Sequence, residues 1–361
     1  MDNVNELDLL QDVAVLTEQI MNIESVSGNE REIADQVHQA LLKLEHLEVH
    51  RDQDAIVART NFGRERRVVL AGHLDTVPLP RTEGAKGTVP AQVIDGVLYG
   101  RGATDMKGGV AVQLALAAEL KDAKYDVTYV FYDHEEVEAA KSGLGRLAKN
   151  SPELLEADFA ILLEPTNGTV EGGCNGTSRF VIRTHGKAAH SGRAWMGHNA
   201  IHDAAPILQR LADYQPQTIT VQGLDYREGM NAVRISGGIA GNVIPDYCEV
   251  EVNYRFAPDK TLAQAEALVF DLFEGFEIER TDGAEGAKPG LDQEIAADLI
   301  RILGQEPKPK YGWTDVSRFS ALGVSAVNFG PGDALLAHSD DEHVAQEDIR
   351  TCLKSLRSWL S

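Results

Sequence analysis

The long apolar runs of this chain end, one after another, at histidines and acids. Arg67-Val68-Val69-Leu70-Ala71 leads into Gly72-His73-Leu74-Asp75. Val127-Thr128-Tyr129-Val130-Phe131-Tyr132 runs into Asp133-His134-Glu135-Glu136, and Phe159-Ala160-Ile161-Leu162-Leu163 stops at Glu164-Pro165. Short apolar runs without alternation read as strands buried on both faces of a parallel sheet. Acids at the end of such a strand are costly unless something cationic sits among them, and three such ends suggest a shared site. Open α/β sheets keep their chemistry at that edge.

Helical spacing of Leu10, Val13, Leu16 and Ile20 predicts a helix over 7–21. Ser27-Gly28-Asn29-Glu30 has the form of a capping box opening a second helix, with Ile33, Val37, Leu41 and Leu44 as its stripe. Short strands follow near 47–50 and 55–59. A glycine-dense segment from Leu98 to Gly109 then precedes a helix through Leu120. From about residue 178 the pattern changes to strands at 178–184, 217–223, 231–239 and 247–255, with helices near 199–213 and 261–274. That is an α+β sandwich with helices on one face of an antiparallel sheet. The segment 281–290 reads as its exit linker. The α/β pattern resumes with a helix from about 291, a strand at 324–329 and a last helix near 347–360. The expected architecture is an α/β domain, 1–177 and 289–361, with a mostly parallel sheet and helices on both faces. A second domain, 178–288, is inserted into it.

A length of 361 residues agrees with two domains. Cys174, Cys248 and Cys352 are odd in number and far apart, which fits a reducing compartment and argues against a cysteine-built zinc site. Any metal must therefore sit on His, Asp and Glu. The formal net charge of −22 opposes nucleic acid and anionic membrane. No stretch has the length of a membrane span and the N-terminus lacks the pattern of a signal peptide, so a cytoplasmic location is expected.

His73 and Asp75 point the same way on a strand, so the aspartate can orient the imidazole; a satisfied histidine beside a turn aspartate has the same spacing. Asp105, just before a helix, serves either as its N-cap or as a carboxylate shared by two metal ions. His190 and His338 read, taken alone, as loop histidines.

In order, Gly72-His73-Leu74-Asp75-Thr76-Val77-Pro78, Gly100-Arg101-Gly102-Ala103-Thr104-Asp105-Met106-Lys107-Gly108-Gly109, Glu135-Glu136, Glu164-Pro165 and Ala337-His338 resemble the M20 family of dinuclear zinc amidohydrolases and peptidases, over nearly the whole chain. Four further segments, Gly172 to Thr177, Ala189 to Gly197, Asn242 to Asp246 and Trp313 to Phe319, resemble one branch of it. That branch, in its actinobacterial form, removes succinate from N-succinyl-LL-2,6-diaminopimelate in lysine and cell-wall biosynthesis. Two departures stand out: Cys174-Asn175 where many such enzymes carry basic residues, and Thr314-Asp315-Val316-Ser317 in place of Thr-Ser-Asp-Gly.

The resemblance implies a zinc-peptidase-like catalytic domain with an inserted lid and dimerisation domain. It makes Asp105 the bridge between two zinc ions, with His73 and Glu164 on one and Glu136 and His338 on the other. Cobalt or manganese could take the place of zinc on such ligands. Asp75 becomes the partner of His73, and Glu135 the general acid/base. His190 would enter the site of a second subunit in a homodimer and donate to the developing oxyanion. Asn242 would reach toward substrate, Arg255 would grip a carboxylate, and Thr314 and Arg318 would frame the far end of the pocket. The implied partner is a small dicarboxylic acyl-amino acid. Alternatives are another deacylase or dipeptidase of the family, such as an acetylornithine deacetylase or aminoacylase, or a non-catalytic metabolite-binding protein, against which the retained Glu135 argues.

Overall fold

The computed structural model of the chain describes residues 6–361; Met1–Asn5, part of the terminus read above for a signal peptide, lie outside the described residues. Two compact units divide it. The first takes Met1–Gly172, Pro289–Lys308 and Arg318–Ser361, and the second Gly173–Lys288 together with Pro309–Ser317. The sequence pattern assigns that last segment to the first domain; the structure places it in the second unit.

The first unit is built on an eight-stranded sheet in the order Leu47–Asp52, Ala55–Thr60, Asp126–Tyr132, Arg67–His73, Phe159–Leu162, Ser325–Asn328, Glu171–Gly172, Lys308–Pro309. Its four middle strands are mutually parallel. Asp126–Tyr132 is buried along its whole length, which accounts for an apolar run with no polar alternation. Helices Val13–Met21, Gly108–Glu119 and Gln346–Leu360 pack on one another. Gly108–Glu119 is buried on every side except at its last residue. Among its side chains, the Gln113 amide donates to the carbonyls of Leu70 and Val130, 2.9 Å each, and so fixes the helix to two middle strands. A smaller sheet pairs His343–Ala345 with Val97–Tyr99 and Val97–Tyr99 with Gln92–Ile94.

The second unit is a four-stranded antiparallel sheet in the order Gly229–Gly237, Tyr247–Phe256, Gly176–His185, Glu277–Ala284. Cys248, Val250, Val252, Tyr254 and Phe256 alternate into a core shared with Phe180, Ile182, Ala265 and Val269. This is the expected α+β layer. No helix among the described residues is long and apolar enough to cross a membrane.

The helix expected over 7–21 starts only at Val13, because the Asp12 side chain caps it there, and leaves Leu10 exposed; two further local expectations fail for identifiable reasons. Residues 281–284 belong to the edge strand Glu277–Ala284, paired with Gly176–His185 across a bulge between Arg280 and Asp282; an exposed edge strand carries the polar, glycine-containing composition that suggested a linker. The second helix starts at Arg31, and its N-cap makes no side-chain hydrogen bond. Ser27 is unavailable as a cap because its hydroxyl donates to Asp75 Oδ2 at 2.6 Å and its amide to the Thr76 carbonyl at 3.0 Å.

Gly109, in the first turn of the buried helix, packs so closely on the neighbouring strand that a Cβ there would lie 2.2 Å from the Leu163 carbonyl oxygen. Helix propensity favours alanine over glycine by about 1 kcal/mol. The backbone clash reverses that sign, so Gly109→Ala is expected to lower the thermal unfolding midpoint; a raised midpoint would contradict the packing described.

Candidate metal centre

The middle strands end in register. His73 pairs with Tyr132 and Ala71 with both Val130 and Leu162. The ladder continues past the strands through Leu74 N–H to the Tyr132 carbonyl, 2.7 Å, and Leu163 N–H to the Ala71 carbonyl, 3.0 Å. His73 closes one strand, Glu135 and Glu136 follow the next, and Glu164 follows the third. The sheet register thus delivers all four to one edge.

Asp105 lies between two imidazoles. Its Oδ1 is 3.1 Å from His73 Nε2, and its Oδ2 is 3.4 Å from His338 Nε2. His338 Nε2 also meets Glu136 Oε1 at 2.9 Å. Three sets place candidate ligand atoms within 4.8 Å of one another: His73 with Asp105 and Glu164, Asp105 with Glu136 and His338, and His73 with Glu135 and Glu136. The Asp105–Met106 peptide is cis, and His338 has φ of 62°, a left-handed conformation that histidine adopts more readily than most residues. Asp105 is not a cap: the following helix has Lys107 at its N-cap position and no side-chain cap bond.

Asp75 does more than its spacing suggests. His73 Nδ1 is 3.0 Å from the Asp75 backbone carbonyl and 3.5 Å from its carboxylate. That carboxylate accepts the main-chain N–H of Glu135 and of Glu136, 3.0 Å each, as well as the Ser27 hydroxyl. It is fully buried, and although burial works against its charge, the hydrogen bonds from His73 and Ser27 hold its pKa at about 2. Asp75 therefore fixes the acidic turn as well as the histidine. Glu30 supports the same turn by accepting from Gly28 N–H at 2.9 Å and His134 N–H at 3.2 Å. Arg146 grips Asp133 through both Nη atoms. Arg146 escaped the sequence reading, and Ser27 and Glu30 entered it only as a capping box; the lack of an apolar residue directly after Ser-x-x-Glu was the available signal against a cap.

The donors suit a divalent cation pair. They are all nitrogen and oxygen, and the Asp105 carboxylate turns a separate oxygen to each imidazole. In the metal-free protein the imidazoles carry the compensating charge. Hydrogen bonds with Asp105 and Glu136 raise the His338 pKa to about 10. Burial opposes charge on His73, yet hydrogen bonds with Asp105 and Asp75 hold it well above its usual value. Burial likewise opposes charge on Asp105, and the two imidazoles hold it well below the carboxylate range.

The remaining predicted site residues divide between the units. His190, Asn242, Arg255 and Thr314 lie in the second and Arg318 in the first. His190 and Asn242 are neighbours: His190 pairs with Val243 in a short ribbon, and Ser191 N–H donates to the Asn242 carbonyl at 2.9 Å. His190 Nδ1 accepts from Gly192 N–H at 3.0 Å, which puts the ring proton on Nε2. Arg255 Nε donates to Asn253 Oδ1 at 3.1 Å. Thr314 is buried, and Arg318 lies against Gly145. All three cysteines are free and buried.

A dinuclear-type donor set at the carboxyl edge of a parallel sheet defines a class of metallohydrolase, and the comparisons agree. Residues 69–361 match Peptidase family M20/M25/M40. The chain is 48% identical over 357 residues to a putative succinyl-diaminopimelate desuccinylase of Mycobacterium tuberculosis, covering 98% of this chain and 99% of that protein. It is 44% identical over 366 residues to the succinyl-diaminopimelate desuccinylase of Corynebacterium glutamicum, covering 98% of each. Its fold is similar to that of an M20 family metallo-carboxypeptidase from Sulfolobus solfataricus, with a TM-score of 0.78 at 18% identity over 97% of this chain and 98% of that one. The chain belongs to the M20 peptidase family.

The raised pKa values of His73 and His338 favour protonated imidazoles, and a cation binding there must displace those protons. Raised pKa values mean that protonation persists at neutral pH and weakens as pH climbs. Zinc added to the stripped protein near pH 7 is expected to release about two protons per chain, with affinity rising toward alkaline pH. Calorimetry in buffers of different ionisation enthalpy checks this, and binding without proton release would contradict it.

Proposed function

We propose that this chain is a metal-dependent amide hydrolase that removes succinate from N-succinyl-LL-2,6-diaminopimelate, leaving LL-2,6-diaminopimelate. The observation that carries the chemistry is Asp105 with one oxygen toward each imidazole. The substrate rests on the two full-length desuccinylase relatives.

In this reading His73, Asp105 and Glu164 hold one zinc ion, and Asp105, Glu136 and His338 the other. When bound, such a pair supplies Lewis acidity: it polarises an amide carbonyl and lowers the pKa of water. Glu135 stands beside His73 and Glu136 with its own main chain fixed by Asp75. It takes the proton of the attacking water and returns it to the departing amine. Asp75 holds that turn and the His73 ring in place. The three carboxylates Asp105, Glu136 and Glu164 would offset most of the charge of two dications held there.

His190 donates its Nε2 proton to the oxyanion of a partner subunit's substrate, with Asn242 beside it, in a homodimer. An exposed sheet edge supports such a pairing: Gly229–Gly237 lies at the rim of its sheet, Val233 and Ile235 are exposed on it, and Ile239 is exposed just past its end. Arg255, with no carboxylate bonded to it among the described residues, is available to a substrate carboxylate. Thr314 and Arg318 are the further substrate contacts of this reading.

The test is hydrolysis of N-succinyl-LL-2,6-diaminopimelate set against N-acetylornithine and dipeptides, with metal analysis of the same sample. The succinyl substrate is expected to be preferred, and a clear preference for N-acetylornithine would replace it. Glu135→Gln is expected to keep its metal and lose turnover roughly 100- to 10,000-fold. His190→Ala is expected to lower kcat while sedimentation still reports a dimer; a fully active monomer would remove the trans role.

A further inference from the structure

Glu342 lies in an acidic run after His338 that reads from sequence as solvated loop, yet its side chain is fully buried. Its Oε1 accepts the main-chain N–H of both Thr104 and Asp105, 3.1 Å each. Its Oε2 accepts from Arg101 Nη1 at 2.7 Å, and that guanidinium, itself buried, reaches on to the Ser339 carbonyl at 3.3 Å. The same two segments meet again where Gly100 N–H donates to the Glu342 carbonyl, 3.1 Å, and the Thr104 hydroxyl to the His343 carbonyl, 2.7 Å. One carboxylate thus ties the turn that carries Asp105 to the loop that carries His338.

We infer that Glu342, held by Arg101, is a positioning residue for one of the two ions, the one assigned to Asp105, Glu136 and His338. The inference rests on the two-ion reading above. Its selectivity follows from how each ligand is mounted. His73 closes a strand of the sheet and Glu164 follows another two residues beyond its end, so they keep their places without Glu342. His338 is half-exposed in a loop joined to the Asp105 turn by the Glu342 carboxylate and Arg101 as well as by the Gly100 and Thr104 bonds, and of these the carboxylate alone also holds the Asp105 N–H. Two donated N–H groups also fix the peptide plane entering Asp105, and with it the direction in which Oδ2 faces His338. Loss of that fixing loosens the shared carboxylate on the side where its second partner is itself on a loop.

Glutamine at 342 cannot serve both neighbours. Whichever way its amide turns, an NH2 group faces a donor, either Arg101 or the Thr104 and Asp105 N–H groups. Aspartate keeps the charge beside Arg101 but is one methylene too short to reach both amides. The experiment is zinc titration of the stripped parent, Glu342→Gln and Glu342→Asp by calorimetry, with thermal unfolding of each metal-free protein. The parent is expected to bind two ions. Both variants are expected to bind the first ion within about threefold of the parent and the second about 10- to 100-fold more weakly. If Glu342→Gln fails to fold because Arg101 is left without a counter-charge, Glu342→Asp, which keeps that charge, carries the test. Two ions bound as tightly as in the parent overturn the inference, as does a parallel weakening of both ions together with lower metal-free stability, the signature of a purely structural role. A parent that binds only one ion would overturn the two-ion reading itself, which separates the two failures.

Discussion

Like charge concentrated at the end of a parallel sheet is the constraint on which the rest of this structure turns. Asp105, Glu135, Glu136 and Glu164 are brought together with only two imidazoles among their ligand atoms. Two carboxylates within 5 Å repel by about 3–4 kcal/mol at an effective dielectric constant near 20. Several such pairs rival the whole stability of a domain, about 5–15 kcal/mol. Raised pKa values on His73 and His338, each set by facing carboxylates, favour imidazolium charge that offsets part of this repulsion. A pair of dications meets it more completely, and in the proposed reading turns the same crowding into catalysis.

Holding such a site requires rigid loops, and the structure repeats one device to obtain them. A buried carboxylate accepts two main-chain N–H groups: consecutive ones for Asp75, from Glu135 and Glu136, and for Glu342, from Thr104 and Asp105, and ones from two separate segments for Glu30, from Gly28 and His134. Each bond of this kind is charge-assisted and stronger than a neutral one. The loops that carry the candidate ligands are therefore fixed by acids outside the three donor sets, while the strands fix His73 directly.

How much of this the sequence carried depends on the length scale of each signal. The buried strands were legible because burial on both faces removes alternation, and their polar ends identified His73, Glu135, Glu136 and Glu164 before any coordinates. Asp105 and His338 were ambiguous from residues alone. Cap and bridge look alike when only the next helix is visible, and His338 lies more than 200 residues from Glu136, its contact. Family resemblance assigned them, and the structure sets both beside the strand-borne acids. Ser27 was misread as a cap and Glu342 carried no signal of its own, because their partners, Asp75 and the Asp105 turn, are remote in the chain. Local pattern reports local bonds. The edge strand Glu277–Ala284 was lost for a related reason, since its pairing partner begins about a hundred residues earlier.

The most direct measurement is anomalous diffraction at the zinc edge from a crystal grown with zinc. The account predicts two peaks, with Asp105 contacting both, His73 and Glu164 on one, Glu136 and His338 on the other, and Glu135 on neither. A single ion in a closed shell, or ions bound away from Asp105, would contradict it.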